Sequence, residues 1–292
     1  MADYRIPGEW MKENMVLSND IDDETINKLG SFQMKEGDVL VTAYPKTGIT
    51  WIQELVWLVY YKGDIAKAHS VPLTERCTYL EYKPSGVPSG LDLLEKESTP
   101  HIMKTHMKSE IFKKQIESRK VRVIVVIRNP KDTLVSLYHF YRMTANLGYF
   151  KGTWDDFFEI YKAKHLIYGD YFDWYSSWLP QCKDNFNVKL VKYEDMQRSM
   201  PDVINDLCLF LDKSLSEKQI NDIMKHLSFD SMSRNGAVNC KNIPYFDFTV
   251  SSFLRKGIIG DWKNYFTREQ SALVDKPYND VIVSMGVKLE FE

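Results

Sequence analysis

Anion chemistry is the first thing the residue types suggest. Lys46 lies in the stretch Ala43-Tyr44-Pro45-Lys46-Thr47-Gly48-Ile49-Thr50-Trp51, which runs into a helical pattern, so backbone N–H groups at the helix start can cradle a phosphate. Registered on a nucleoside-triphosphate loop, Gly48-Ile49-Thr50 puts Ile49 where the lysine belongs and Ala43 where the first glycine belongs, and ATP or GTP hydrolysis loses support. Taken alone, the stretch reads equally as an ordinary strand-to-helix turn with a solvated lysine. Arg128, with Ser136 in the helical stretch that follows, can fix a second phosphate, although an arginine before Asn129-Pro130 also suits a turn. Arg255-Lys256-Gly257 adds cations beside a glycine that lets amides approach an anion, yet most such pairs are surface charge. The histidines show no metal-ligand spacing, so no metal is expected. His106, in Met103-Lys104-Thr105-His106, can act as a general base because imidazole titrates near neutrality, and a lone histidine is equally a structural residue.

These groups need elements to carry them. Asp38 to Ala43 and Val121 to Ile127 are β-branched and nearly all apolar, as strands covered on both faces are. Asn187 to Tyr193 alternates and reads as a half-buried strand. After Ala43, Ile52, Leu55, Val56 and Val59 follow at helical spacing, and after Ile127 so do Leu134, Leu137, Tyr138 and Tyr141. Strand, loop and helix in succession predict an α/β fold, three-layer α/β/α, with a central, mainly parallel sheet and a P-loop-like loop whose ligand sits at the carboxyl ends of the strands. Further helices are expected over Trp154 to Tyr161, Tyr171 to Leu179 and Met200 to Leu211, with Asp212 and Ser216 as turn or cap residues. Asn235 to Ser252 has aromatics but no sustained period and is expected to be a lid.

Composition sets the outer bounds. The chain has 292 residues, 44% of them hydrophobic, and no repeat or linker divides it, so 1–292 is expected to be one domain. With 38 basic against 40 acidic side chains no broad cationic face is available, which argues against nucleic acid and leaves any anion to a local cluster. Cys77, Cys182, Cys208 and Cys240 form no Cys-x-x-Cys pair and are expected as thiols. The stretch from Met1 to Trp10 has no continuous apolar core of a secretory signal, and no apolar run approaches a membrane span, so a cytoplasmic protein without membrane contact is expected.

The order of these motifs resembles the cytosolic sulfotransferases, which use 3′-phosphoadenosine 5′-phosphosulfate as sulfuryl donor, over nearly the whole chain. Tyr44 to Trp51 is similar to the family's 5′-phosphosulfate loop, Arg128 through Ser136 to its 3′-phosphate segment, and Arg255-Lys256-Gly257-Ile258-Ile259-Gly260-Asp261-Trp262 to its late signature. The resemblance implies a catalytic set of His106, Lys46, Ser136 and Lys104, with Ser136 restraining Lys46 until the acceptor binds. It implies a nucleotide site of Lys46, Thr47, Gly48, Ile49, Thr50, Trp51, Arg128, Ser136, Tyr193, Leu227, Phe229, Met232, Phe253, Leu254, Arg255, Lys256 and Gly257, with Trp51 and Phe229 stacking on the adenine. Lys104, Thr105, His106, Tyr79 and Phe140 would meet the acceptor, a small-molecule hydroxyl or amine compound, and 3′-phosphoadenosine 5′-phosphate would be the other product.

Departures from the family pattern carry their own expectations. Ile49 stands where a threonine is usual and Leu227 where another is common, so donor affinity is expected to drop by a side-chain hydrogen bond. The family's dimer motif is degraded, with Arg268 and Ala272 in place of its valine and glutamate, so a homodimer stays open but dimerisation by that route is not expected. Tyr79, Tyr82, Phe140, Tyr149, Phe150, Tyr245, Phe246 and Phe248 are candidates to wall an apolar acceptor pocket. The alternatives are a P-loop nucleotide phosphotransferase, a catalytically idle nucleotide-binding protein, and a sulfation that ends in net elimination.

Overall fold

Alternate residues of the central strands point to opposite faces, and both faces are apolar, so the sheet must be covered on each side. In the computed structural model, which describes residues 4–84, 86–94, 100–118 and 120–292, it is. A short antiparallel hairpin, β1 (Trp10–Lys12) and β2 (Met15–Leu17), precedes the main sheet. The sheet has five strands, β3 (Val39–Ala43), β4 (Thr78–Tyr79), β5 (Ile102–Thr105), β6 (Arg122–Ile127) and β7 (Val188–Lys192), in the order β4-β5-β3-β6-β7. Every pairing in it is parallel. Leu40, Met103, Val123, Val125 and Ile127 enter one core, which the helices Pro130–Met143 and Tyr171–Asp184 cover with Leu134, Leu137, Tyr141, Trp174 and Trp178. Val39, Val41, Ala43, Ile102, Ile124 and Val126 enter the other, under Ile49–Tyr60 and Met200–Phe210. The α/β reading of the sequence is thus realised as helix, sheet and helix layers.

The central strand decides where a ligand can sit. The chain leaves β3, fills the β4–β5 side, then returns to β6 on the other flank, so connections diverge at the carboxyl end of β3 and leave a crevice there. Register puts Thr42 beside Thr105 of β5 and Val125 of β6. The residues that follow, the Tyr44–Gly48 loop, His106 and Arg128, therefore emerge side by side.

Local chemistry fixes the element ends. Asn129 caps the Pro130–Met143 helix through the Asp132 amide at 2.8 Å, with Pro130 in the first turn, where its missing donor costs nothing. Ser216 forms a capping box with Gln219, and Asp212 takes a positive φ of 53°. The segment 235–252 holds no helix or strand; an antiparallel bridge from Phe246 to Thr144 and the Asp247 N–H on the Met143 carbonyl at 2.7 Å tie it beside the crevice. Pattern reading had no purchase on β1, β2 or the two-residue β4, which are too short to show a period.

Candidate active site

A cavity of about 360 Å³ opens at the carboxyl ends of β3, β5 and β6. Its floor is the turn into the Ile49–Tyr60 helix. Gly48 starts that helix with φ 98°, and a Cβ there would come within 2.6 Å of Tyr193 Cδ2, so glycine is required both by conformation and by space. The first helical amides have no acceptor in a preceding turn and face the cavity end. The run of such donors stops at Thr50, because the Trp51 N–H bonds the Gly48 carbonyl at 3.0 Å.

Cations converge on this turn from three elements. Arg128, at the end of β6, bonds the Ile258 carbonyl at 3.0 Å and the Lys46 carbonyl at 3.4 Å, and its guanidinium lies 4.2 Å over the Tyr193 ring. Arg255 and Lys256 each reach one oxygen of Asp261 at 2.6 Å. Burial pushes that carboxyl up, but the hydrogen bonds from Lys256, Arg255 and Asn264 prevail and hold it at about 2. Among the described residues the Nε groups of Arg128 and Arg255 have no partner. Lys46 takes a left-handed φ of 69° and carries its ammonium 4.1 Å over Phe253 and 4.6 Å over Phe140. Burial, followed by repulsion from Lys104, Arg128 and Arg255, brings it down to about 7.

The same cavity is lined by His106, 6% exposed. Its Nδ1 lies 2.6 Å from the Ala43 carbonyl, which accepts only, so Nδ1 carries the proton and Nε2 is left as the lone-pair nitrogen. The backbone is held too: its N–H donates to Glu81 at 2.6 Å, and its carbonyl accepts from Trp174 Nε1 at 2.7 Å. Burial first, then the Lys104 and Lys46 ammonium groups, depress the imidazole well below its usual range, outweighing the Ala43 bond, so the ring is neutral at pH 7. Lys104 Nζ sits 4.0 Å over Tyr79. Tyr79 and Tyr168 stand against the His106 ring at 5.5 and 5.2 Å, and their hydroxyls bond each other.

The chain that carries this cavity has counterparts. The sulfotransferase domain profile matches residues 36–286. Sulfotransferase 1A1 of Bos taurus is 36% identical over 270 residues, covering 92% of this chain and 90% of its own. The chain belongs to the sulfotransferase family. Sulfotransferase 1B1 of Mus musculus is 35% identical over 267 residues, 90% of this chain and 88% of that one. Among solved structures, mouse sulfotransferase SULT7A1 complexed with PAP superposes with a TM-score of 0.76 at 26% identity, covering 94% of each chain. Retinol dehydratase shares the fold at a TM-score of 0.82 and 24% identity, over 91% of this chain and 86% of its own. A sulfotransferase is an enzyme of the sulfuryl-transfer class.

Within this sulfotransferase, most residues singled out from sequence come together. Lys46, Gly48, Ile49, Thr50, Trp51, Lys104, His106, Arg128, Ser136, Phe140, Tyr193, Leu227, Phe229, Met232, Phe253, Leu254, Arg255, Lys256 and Gly257 all line the cavity. Thr47, Thr105 and Tyr79 stand outside that lining. The Thr47 hydroxyl turns inward to the Tyr44 carbonyl at 2.8 Å, because the tight turn needs an internal tie. Thr105 Oγ1 accepts the Met107 N–H at 3.0 Å, and the Tyr79 hydroxyl is taken by Tyr168. Lys46 lies on Phe140 and Phe253, and among the described residues no hydrogen bond joins it to Ser136. Phe150 is a core residue, packed on Tyr4 and Phe157, not an acceptor wall.

Several members of the site went unread in the sequence. Gln197 bridges the Tyr193 hydroxyl at 3.0 Å and the Gly257 carbonyl at 2.8 Å. Asp132 accepts the Gly260 and Trp262 amides at 2.7 and 2.9 Å and so shapes the 255–262 loop. Asp261 holds Arg255 and Lys256, and Glu81 holds the His106 backbone. A carboxylate inside a cationic motif, such as Asp261 after Arg255-Lys256, was the one local signal available. Among the described residues no three His, Cys, Asp or Glu gather to hold a metal, and no helix is long and apolar enough to cross a membrane.

Proposed function

We propose that this protein transfers a sulfuryl group from 3′-phosphoadenosine 5′-phosphosulfate to the hydroxyl, or amine, of a small apolar acceptor such as a phenol or steroid, as one cytoplasmic domain over 1–292. The cavity suits such a nucleotide by its own chemistry. Unpartnered Nε–H groups on Arg128 and Arg255 and the ammonium of Lys256 suit one phosphate, and the Gly48 to Thr50 amides with Lys46 suit the other. Trp51, its Nε1 fixed on the Leu227 carbonyl at 3.0 Å, and Phe229, 41% exposed, offer faces to a base. Gly257 leaves room for that arrangement, since a Cβ would come within 2.4 Å of Phe229. The PAP held by mouse SULT7A1 supports the same nucleotide here.

The bound donor supplies an activated sulfur whose bridging oxygen leaves as phosphate. His106 Nε2 takes the acceptor proton as the acceptor oxygen bonds sulfur and the sulfur-to-phosphate oxygen bond breaks, with the electron pair going to the phosphate. Lys46 stabilises that oxygen, and Lys104 steadies the charge gathering on the sulfuryl oxygens. Negative charge beside Lys46 and Lys104 offsets the repulsion that depresses His106, so the base gains proton affinity once the nucleotide site is filled. The observation that carries the reading is the 2.6 Å bond from His106 Nδ1 to Ala43, which fixes Nε2 as the acceptor within the cationic cavity.

The test is a panel of phenols, catecholamines, steroids and aliphatic alcohols with radiolabelled donor, together with calorimetric binding of 3′-phosphoadenosine 5′-phosphate against ATP with magnesium. Labelled, sulfated product and preference for the bisphosphate are expected. No transfer to any acceptor, or preference for ATP, overturns the reading.

A further inference from the structure

Glu81 is a fully buried carboxylate just outside the cavity lining. Its place follows from register: Tyr79 of β4 pairs with Lys104 of β5, and the Leu80 N–H bonds the Lys104 carbonyl at 3.0 Å. Beyond that point the ladder stops. Glu81 Oε1 takes the His106 N–H at 2.6 Å, where a further strand residue would have offered a backbone carbonyl. The other oxygen, Oε2, has no hydrogen-bond partner among the described residues.

A neutral amide would serve that backbone bond equally well, and a carboxylate with an unpartnered oxygen is expensive to bury. What a carboxylate adds is charge. Among the described residues no ion pair within 4.0 Å joins Lys104 to Glu81; the two are neighbours because Tyr79 pairs with Lys104 and Glu81 bonds the His106 N–H two residues on, so the carboxylate acts on the ammonium through space, with Cys77 and Cys240 also near it and the Tyr79 ring beneath it. Glu81 itself faces Lys104, Thr105 and Tyr168. His106 faces the ammonium groups of Lys104 and Lys46. In this cluster the carboxylate is the counter-charge nearest in kind to a permanent one, because burial keeps both Cys77 and Cys240 as thiols.

We propose that Glu81 is a positioning residue, holding the His106 backbone in place and serving as the buried counter-ion that keeps Lys104 an ammonium facing the acceptor. This rests on the reading above, in which His106 and Lys104 serve sulfuryl transfer. The balance is poised: burial takes Lys104 down to about 8 while Glu81 pulls it back up, and burial takes Glu81 up to about 7. Above pH 7 the carboxylate is ionised and supports the ammonium. Without it, Lys104 loses its proton at lower pH.

Glu81→Gln keeps shape and hydrogen bond and removes the charge. The expected result is an alkaline limb of kcat moved to lower pH by about one unit, with turnover at pH 8 down about fivefold and affinity for 3′-phosphoadenosine 5′-phosphate unchanged. Glu81→Asp, which keeps the charge but shortens the reach, is expected to lower kcat and leave the limb in place. Titration of Lys104 by NMR after ¹³C reductive methylation, assigned with Lys104→Arg, reads the same shift without any turnover, so it stays informative even where wild type transfers no sulfuryl group. An unmoved limb and an unmoved Lys104 titration in Glu81→Gln overturn the proposal, as does an equal shift in Glu81→Asp. Should Glu81→Gln fail to fold, adding Lys104→Met is expected to restore folding by removing the orphaned charge, and failure to do so also counts against it.

Discussion

At the end of the cavity that we assign to the nucleotide, cations stand on loops and are steadied by hydrogen bonds to backbone carbonyls and to Asp261, while aromatic rings are half open to solvent. At the acceptor end, Lys104 and His106 are packed among tyrosines with a buried carboxylate behind them. The first end is built to be neutralised by a ligand that brings its own negative charge. The second, where we place the acceptor, is neutralised from within, as the apolar acceptor proposed above would bring none. Both ends lower the proton affinity of a lysine by burial, but among the described residues Lys104 has a carboxylate, Glu81, to oppose that loss, whereas Asp261 at the nucleotide end is spent on Arg255 and Lys256 and does not serve Lys46.

The largest effect expected is on His106, the base we propose. His106→Ala should cut kcat by about 10²–10⁴ while leaving bisphosphate binding intact, as measured by turnover and calorimetry; a loss of binding instead would blur the division between the two ends. Next comes Lys46. With its free value down at about 7, the ammonium fraction falls as pH rises through 7, and a bound anion raises that value again. Bisphosphate binding should therefore take up protons near pH 7 to 8 and weaken above it, read from calorimetry in buffers of different ionisation enthalpy. Lys46→Met should abolish that uptake and lower kcat by roughly 10²-fold. Asp261→Asn frees Arg255 and Lys256 from their anchor and should weaken bisphosphate binding about tenfold, with little change in the acceptor KM. The smallest effect is Ile49→Thr, where the restored hydroxyl should tighten donor binding by a few-fold. A change in acceptor preference from that substitution would break the comparison.

The nucleotide end was the more legible in the sequence because its parts are local motifs. The turn from Lys46 to Trp51, Arg128 and Arg255 to Gly257 each declare themselves by residue type next to a strand end or a glycine. Glu81, Asp132 and Gln197 do not, since each acts on a partner far along the chain, such as the Glu81 bond to His106 and the Asp132 bonds to Gly260 and Trp262. Thr47 and Phe150 show the converse: their types and positions suited a site, but a tight turn used one hydroxyl and the core used one ring. Tyr79 sits one residue from a cavity wall and spends its hydroxyl on Tyr168.

What the sequence determined by itself was the strand–loop–helix succession, the family, and a set of cations that near-zero net charge could only have placed locally, since periodicity and motif are properties of neighbouring residues. The tertiary structure decided which nitrogen of His106 holds the proton, how far Lys46 and Lys104 yield theirs, and which carboxylates steady the rest. Those depend on parallel register at β3, β4 and β5 and on burial, and electrostatic energies inside a fold are set by what lies within a few ångströms in space, whatever its distance along the chain.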